Sequence, residues 1–188
     1  QVWFIMPECY IKLGMFMNIK CVKMNKKYIR KIEGMSKGLL LFKVGAEIKQ
    51  SGQNFHLLYE DKRKPPLDIA INPNNGTIEY ITYFIQDEKI LSEKLYNEID
   101  YQEGTIIVED EQFNIENKFY LIVERKFDAI RDNNDILILS NSIHKEKLQA
   151  YKIDNMNYLL FSQSQFCGIV FKNILSEEWD EIINSQCI

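Results

Sequence analysis

LDIAINPNNGTIEYITYFI, residues 67–85, reads as two β-strands joined by a reversal. Leu67, Ile69 and Ile71 alternate with smaller or polar residues, the two-residue period of a strand with one buried face. In the return run, Thr77, Glu79 and Thr82 are interleaved with Ile78, Tyr80, Ile81 and Tyr83. Between the runs, Pro73 holds φ at about −65° and Asn75-Gly76 tolerates positive φ, so the chain turns back there.

Strand patterns continue on both sides of this hairpin. Upstream lie GLLLFKVGAEIKQ (38–50), the turn SGQN (51–54), FHLLYED (55–61) and the basic loop KRKPP (62–66). Downstream lie TIIVEDEQF (105–113), KFYLIVERKFDAI (118–130), the turn DNND (132–135), DILILSNS (135–142) and LQAYKID (148–154). NYLLFSQSQFCGIVFKNI (157–174) adds a hairpin with SQSQ as its reversal. Ile, Tyr and Phe are abundant, which favours strands.

Four segments read as helical. Residues 19–37 are basic and carry Tyr28, Ile29 and Ile32 at a fragment of helical spacing. ILSEKLYNEI (90–99) has Ser92 as a cap, Glu93 in the first turn, and Leu91, Leu95 and Ile99 at i, i+4 and i+8. NSIHKEKL (141–148) fits one helical turn. SEEWDEIIN (176–184) is a short helix, with Ser176 as its cap and Glu177 and Glu178 complementing the dipole. The expected fold is α+β: mainly antiparallel β-sheet with a few helices, including a C-terminal helix.

At 188 residues the chain fits a single domain, 1–188, able to bury roughly two-thirds of its extended surface without a disulfide or metal. ILSEKLYNEI at 90–99 and ILSEEWDEII at 174–183 echo each other, each after a hairpin-like pair. Two related halves, about 38–99 and 118–184, behind a basic N-terminal arm at 1–37, would explain the echo; so would the shared needs of any helix start.

Charge is divided unevenly. Residues 1–50 hold 10 Lys or Arg against 3 Asp or Glu, a local +7, and residues 51–188 hold 13 against 24, a local −11. The most acidic stretch, 87–116, has 10 acids opposed by Lys89 and Lys94. From it come the candidate partner-binding residues Asp87, Glu88, Glu98, Asp100, Glu103, Glu109, Asp110 and Glu111. Net acidity argues against general nucleic-acid binding, which needs clustered cations. The basic stretch CVKMNKKYIRKIEGMSK (21–37) suits RNA, an acidic protein or anionic lipid, and suits a helix packed on the chain's own acids better.

Cys9, Cys21, Cys167 and Cys187 form no CxxC pair and read as reduced thiols of a cytoplasmic protein. No run approaches the ~20 apolar residues of a membrane span, and the first segment is broken by Pro7, Glu8 and Lys12. The chain does not begin with Met, so Met15 and Met17 stand beside residue 1 as alternative starts.

Catalytic signals are weak. GMSKG (34–38) matches G-x-S-x-G, but a basic segment precedes it and LLLFKV follows, the reverse of the strand-turn-helix context a nucleophilic serine needs. The two histidines, His56 and His144, lack local metal-ligand or catalytic spacing. Cys167 sits in an apolar strand. There is no phosphate-binding glycine loop, no D-x-D-x-D-G loop, and no cofactor is expected.

The hairpin at 67–85 and the closing GIVFKNILSEEWDEII (168–183) resemble small bacterial immunity proteins, the partners of polymorphic toxins. The shared features are an Asp-Ile-x-Ile strand, an Asn/Pro/Gly turn, an Ile-rich return strand, and a Gly-Ile-x-Phe-x-Asn segment entering an acidic helix; here Ile174 is inserted before Leu175. The resemblance implies a non-enzymatic protein that neutralises a toxin by surface complementarity, and it carries no active-site residues. The alternative is a small-ligand-binding protein or enzyme with a pocket near His56 and the aromatics Tyr80, Tyr83 and Tyr120. A polar pocket holding His56 beside a carboxylate favours that alternative; a flat or convex acidic face favours the inhibitor.

Overall fold

The computed structural model describes residues 11–12 (backbone only), 18–93, 99–141 and 147–188. They form two mixed β-sheets and one α-helix. The six-stranded sheet contains β3 (Tyr28–Ser36), β4 (Leu39–Ala46), β5 (Phe55–Glu60), β6 (Leu67–Ile71), β7 (Ile78–Gln86) and β10 (Tyr120–Glu124), in the order β10-β5-β6-β7-β4-β3. The nine-stranded sheet contains β1 (Ile11–Lys12), β2 (Asn18–Val22), β8 (Leu91–Ser92), β9 (Ile99–Glu109), β11 (Phe127–Asp132), β12 (Asp135–Ser140), β13 (Leu148–Lys152), β14 (Asn157–Ser162) and β15 (Gln165–Phe171). Its order is β1-β2-β9-β13-β14-β15-β12-β11-β8, and β1 also meets β15. Most pairings are antiparallel; β10–β5, β13–β9, β11–β8 and β1–β15 are parallel.

One apolar core lies between the sheets. Phe42, Leu57, Tyr59, Ile69, Ile81 and Tyr83 meet Ile106, Phe127, Ile136, Phe161, Ile169 and Phe171 in a single buried cluster. The Phe42 and Phe171 rings stack at 5.2 Å across the interface, and Tyr59 lies 4.9 Å from Phe166. Each such side chain contributes about 1.5–3 kcal/mol by leaving water.

The reversal in the 67–85 hairpin also joins the sheets. Gly76 has φ +70, and a Cβ there would lie 2.1 Å from the Val108 carbonyl oxygen. That space is occupied because the Val108 N–H donates to Gly76 O at 2.7 Å and Thr77 bridges Ile107. The turn is therefore pinned to β9 of the opposite sheet.

The helical expectations need correcting. Residues 19–37 form β2 and β3, not a basic helix. Along β3 exposure alternates, with Ile29 and Lys31 out and Arg30 and Ile32 in, and pairing with β4 imposes the two-residue period. At 90–99, Leu91 and Ser92 pair with β11, and Ile99 begins β9; residues 94–98 lie outside the described residues. Most of the 141–148 turn, with His144, also lies outside them. Among the described residues the one α-helix is α1 (Ser176–Asn184), at the predicted bounds. Its cap differs: the Glu178 carboxylate, not Ser176, accepts from the Leu175 N–H at 2.9 Å.

Helix α1 is stapled onto β3. The Arg30 guanidinium grips both Glu178 oxygens, at 2.7 and 2.6 Å, and donates to the carbonyls of Lys172 and Asn173. Lys26 similarly holds the buried Glu79. Two cations of the basic N-terminal stretch thus pair with the chain's own acids.

Candidate functional site

The acids of 87–116 do not converge on one face. Glu88 accepts from Lys64, whose ammonium also reaches the Tyr83 hydroxyl at 2.9 Å. Glu109 pairs with Lys20 at 2.9 Å. Asp110 accepts from the Gln112 N–H at 2.7 Å and caps a single 3-10 turn, Glu111–Asn114. Asp87 occupies a left-handed turn position at φ 56. Glu111 is exposed, and Glu98 lies outside the described residues. Asp100 and Glu103 are exposed on β9, about 30 and 20 Å along the strand from Glu109 at ~3.3 Å per residue.

Around Glu103 the fold assembles an acidic, aromatic patch, while Asp100 lies on the other face of β9 with Gln102, from which it accepts at 2.8 Å. Tyr101 on β9 meets Tyr158 on β14 edge-to-face, with ring centroids 5.0 Å apart. The Lys172 ammonium lies 4.2 Å from the centre of the Tyr101 ring. Tyr101 remains 39% exposed. The Tyr101 hydroxyl is pushed up to about 12, first by burial and then by the carboxylates of Asp135 and Asp132. Tyr158 is raised by burial and then by Asp154 and Glu103. Four carboxylates from different elements therefore bear on two rings.

Hairpin geometry explains the convergence. Asp132 and Asp135 flank the β11–β12 reversal. Asp135 accepts from the Asn173 N–H at 2.7 Å, which fixes that reversal beside Lys172. Asp154 holds the β13–β14 turn by accepting from the N–H groups of Met156 and Asn157. Next to the patch, Trp179 of α1 donates to Asn134 at 2.8 Å and stacks on Arg131 at 4.2 Å. Of the residues singled out from the sequence, Glu103 shares the Tyr101 face of β9; Tyr101, Tyr158, Asp132, Asp135 and Asp154 are not among them. The available signal was a pair of acidic turns, DNND and KIDN, each closing a hairpin.

The residues of the His56 alternative are brought together only in part. His56 Nδ1 lies 3.0 and 3.1 Å from the two Asp68 oxygens, with the Tyr80 ring 6.0 Å away. The hydrogen bond to Asp68 raises the imidazole above its ordinary value against the opposing effect of burial. Tyr80 is pushed up to about 12 by burial and then by Asp68. Tyr120 stands opposite His56 on β10, but Tyr83 faces the core, donating to Phe127 O at 3.1 Å.

This group occupies the open outer face of the six-stranded sheet. Two surface cavities lie elsewhere. One of about 430 Å³ is bordered by Lys26, Tyr28, Lys152 and Asp154, and one of about 330 Å³ by Phe55, Phe113, Ile115 and Phe119. Neither is lined by His56.

The other chemical candidates are structural. Ser36 of GMSKG ends β3 opposite Leu39 in a tight hairpin. The Cys167 thiol is buried and pushed up to about 12, where it is inert as a nucleophile at neutral pH. Among the described residues no three His, Cys, Asp or Glu side chains are grouped to hold a metal ion, and no helix is long and apolar enough to cross a membrane. No protein-family model matches the chain, and no curated protein matches it.

Proposed function

We propose that this protein is a non-enzymatic inhibitory binder of the immunity type, acting in the cytoplasm by docking a basic toxin domain onto the Tyr101–Tyr158 patch. The observation that carries this reading is the exposed Tyr101 packed on Tyr158, with Glu103 on the same face of β9 and the acidic turns of Asp132, Asp135 and Asp154 closing hairpins at that end of the sheet. Tyrosines supply rigid contact area and dominate binding energy at protein interfaces. Carboxylates around them speed the approach of a cationic partner and disfavour wrong ones. A toxin that acts on nucleic acid presents such a cationic surface, and an acidic patch competes for it.

Co-expression with the product of the adjacent reading frame tests the proposal, followed by calorimetry on the purified pair. Tyr101→Ala is expected to weaken binding roughly 30-fold or more, the scale of an interface hot spot. Glu103→Gln with Asp132→Asn is expected to slow association and flatten its salt dependence. Unchanged affinity and kinetics in both variants would remove the patch from the mechanism. Loss of function in His56→Gln alone would instead favour the ligand-binding reading.

A further inference from the structure

The free edges of the two sheets are treated unequally. Edge strand β3 is covered by α1, and its Gly34 N–H donates to the Glu181 carboxylate at 2.8 Å. Edges β1 and β8 are two residues long, and beside β8 the Ile90 N–H is satisfied by Cys187 O at 2.7 Å. Strand β10 is different. It is Tyr-Leu-Ile-Val-Glu, five residues with no proline, and β5 is its one partner strand among the described residues. Tyr120 is 59% exposed and Ile122 50%. Proteins usually blunt such an edge with charge, proline or a bulge, because it templates pairing with another strand.

The backbone phase of this edge can be read from its two ends. The His56 N–H donates to Phe119 O at 2.8 Å, and the Arg125 N–H donates to Glu60 O at 3.1 Å. In a parallel ladder alternate residues face the partner, so Leu121 and Val123 bond β5. The N–H and C=O groups of Tyr120, Ile122 and Glu124 therefore point away from the sheet.

The strand complements itself. Under an antiparallel two-fold centred on Leu121, Tyr120 lies opposite Ile122 of a second copy, and both carry outward backbone groups that can exchange hydrogen bonds. Phe119 then faces Val123, and Lys118, just ahead of the strand and bonded to Gln112 within one copy, comes opposite Glu124, which is exposed and 3.9 Å from Lys62, twice by symmetry. A two-fold centred on Ile122 also satisfies the backbone phase, but it sets Lys118 against Lys126 and Tyr120 against Glu124. Charge pairing selects the first register, since opposite charges directly across a strand pair stabilise and like charges repel.

We infer that two copies of this chain associate through antiparallel pairing of β10, joining their six-stranded sheets into one. The dimer does not rest on the toxin-binding reading, because the Tyr101–Tyr158 patch belongs to the other sheet.

Sedimentation velocity of the full chain over a concentration series tests it. The wild type is expected to dimerise reversibly. Ile122→Pro is expected to be monomeric yet folded, because proline there removes an outward N–H and no bond to β5. Glu124→Lys is expected to weaken the dimer about tenfold, and adding Lys118→Glu to restore it, through two symmetric cross-strand charge pairs. A wild type monomeric at every concentration overturns the inference, as does a folded Ile122→Pro that dimerises normally. If Ile122→Pro does not fold, the charge swap decides: failure of the double variant to recover dimerisation also overturns it.

Discussion

Ile-Leu-Ser-Glu occurs at 90–93 and again at 174–177, and the two copies part company after two residues. In both, the isoleucine is buried and its N–H is tied across the fold, Ile90 to Cys187 O and Ile174 to Asn134 O. In both, the leucine is more than 40% exposed. Then Leu91 and Ser92 lie in β8 beside Ile130 and Arg131 of β11, whereas Ser176 enters α1. The deciding residue lies outside the tetrapeptide. Three positions after Leu175 stands Glu178, which accepts the Leu175 N–H and is gripped by Arg30; three positions after Leu91 stands Lys94. A helix start needs its cap to be held as well as present.

That contrast can be broken most directly at Glu178. Glu178→Ala removes the cap and strands the nearly buried Arg30 guanidinium, so urea denaturation is expected to show a loss of about 3–5 kcal/mol. A loss under about 1 kcal/mol would mean the Arg30 pair does not hold the helix. The inter-sheet anchor comes next. Gly76→Ala forces a Cβ toward Val108 O at positive φ, with an expected cost of about 2–3 kcal/mol by the same measurement. A neutral result would show that the turn is free of β9.

The half-exposed His56–Asp68 pair is a weaker counterpart of Arg30–Glu178. Its imidazole is raised in the folded state, so its contribution is full below the unfolded value near 6.5 and is lost as pH rises through the raised folded value. The urea midpoint is therefore expected to fall with rising pH across that window, and Asp68→Asn to remove the slope. A wild-type slope unchanged in Asp68→Asn assigns the pH dependence elsewhere. The smallest effect is expected at Ser176→Ala. Since Glu178 provides the cap, the change should stay within about 0.5 kcal/mol; a loss near 1 kcal/mol would return the capping role to Ser176.

Segments whose apolar period was long and uninterrupted were legible before folding. The 67–85 hairpin, the 157–171 hairpin and the bounds of the C-terminal helix all match their local patterns. Residues 19–37 misled because Tyr28, Ile29 and Ile32 fit a helix in isolation, while β4 and β9 supply the ladders that make them strands. The site was half legible. Glu103 stands in an obvious acidic run, and Asp132, Asp135 and Asp154 stand in acidic turns, but those turns close separate hairpins and no local pattern brings them together.

From its own residues, then, this chain determined where it would extend, where it would reverse and which helix it would close on, because period, turn chemistry and apolar content act within a few positions. Tertiary structure alone decided that residues 19–37 would extend as strands, that Arg30 would hold Glu178 of the helix, that the Gly76 turn would lock onto β9, and that Tyr101 and Tyr158 would meet. Those outcomes depend on pairings between residues as many as 148 positions apart, and no local preference encodes the geometry that joins them.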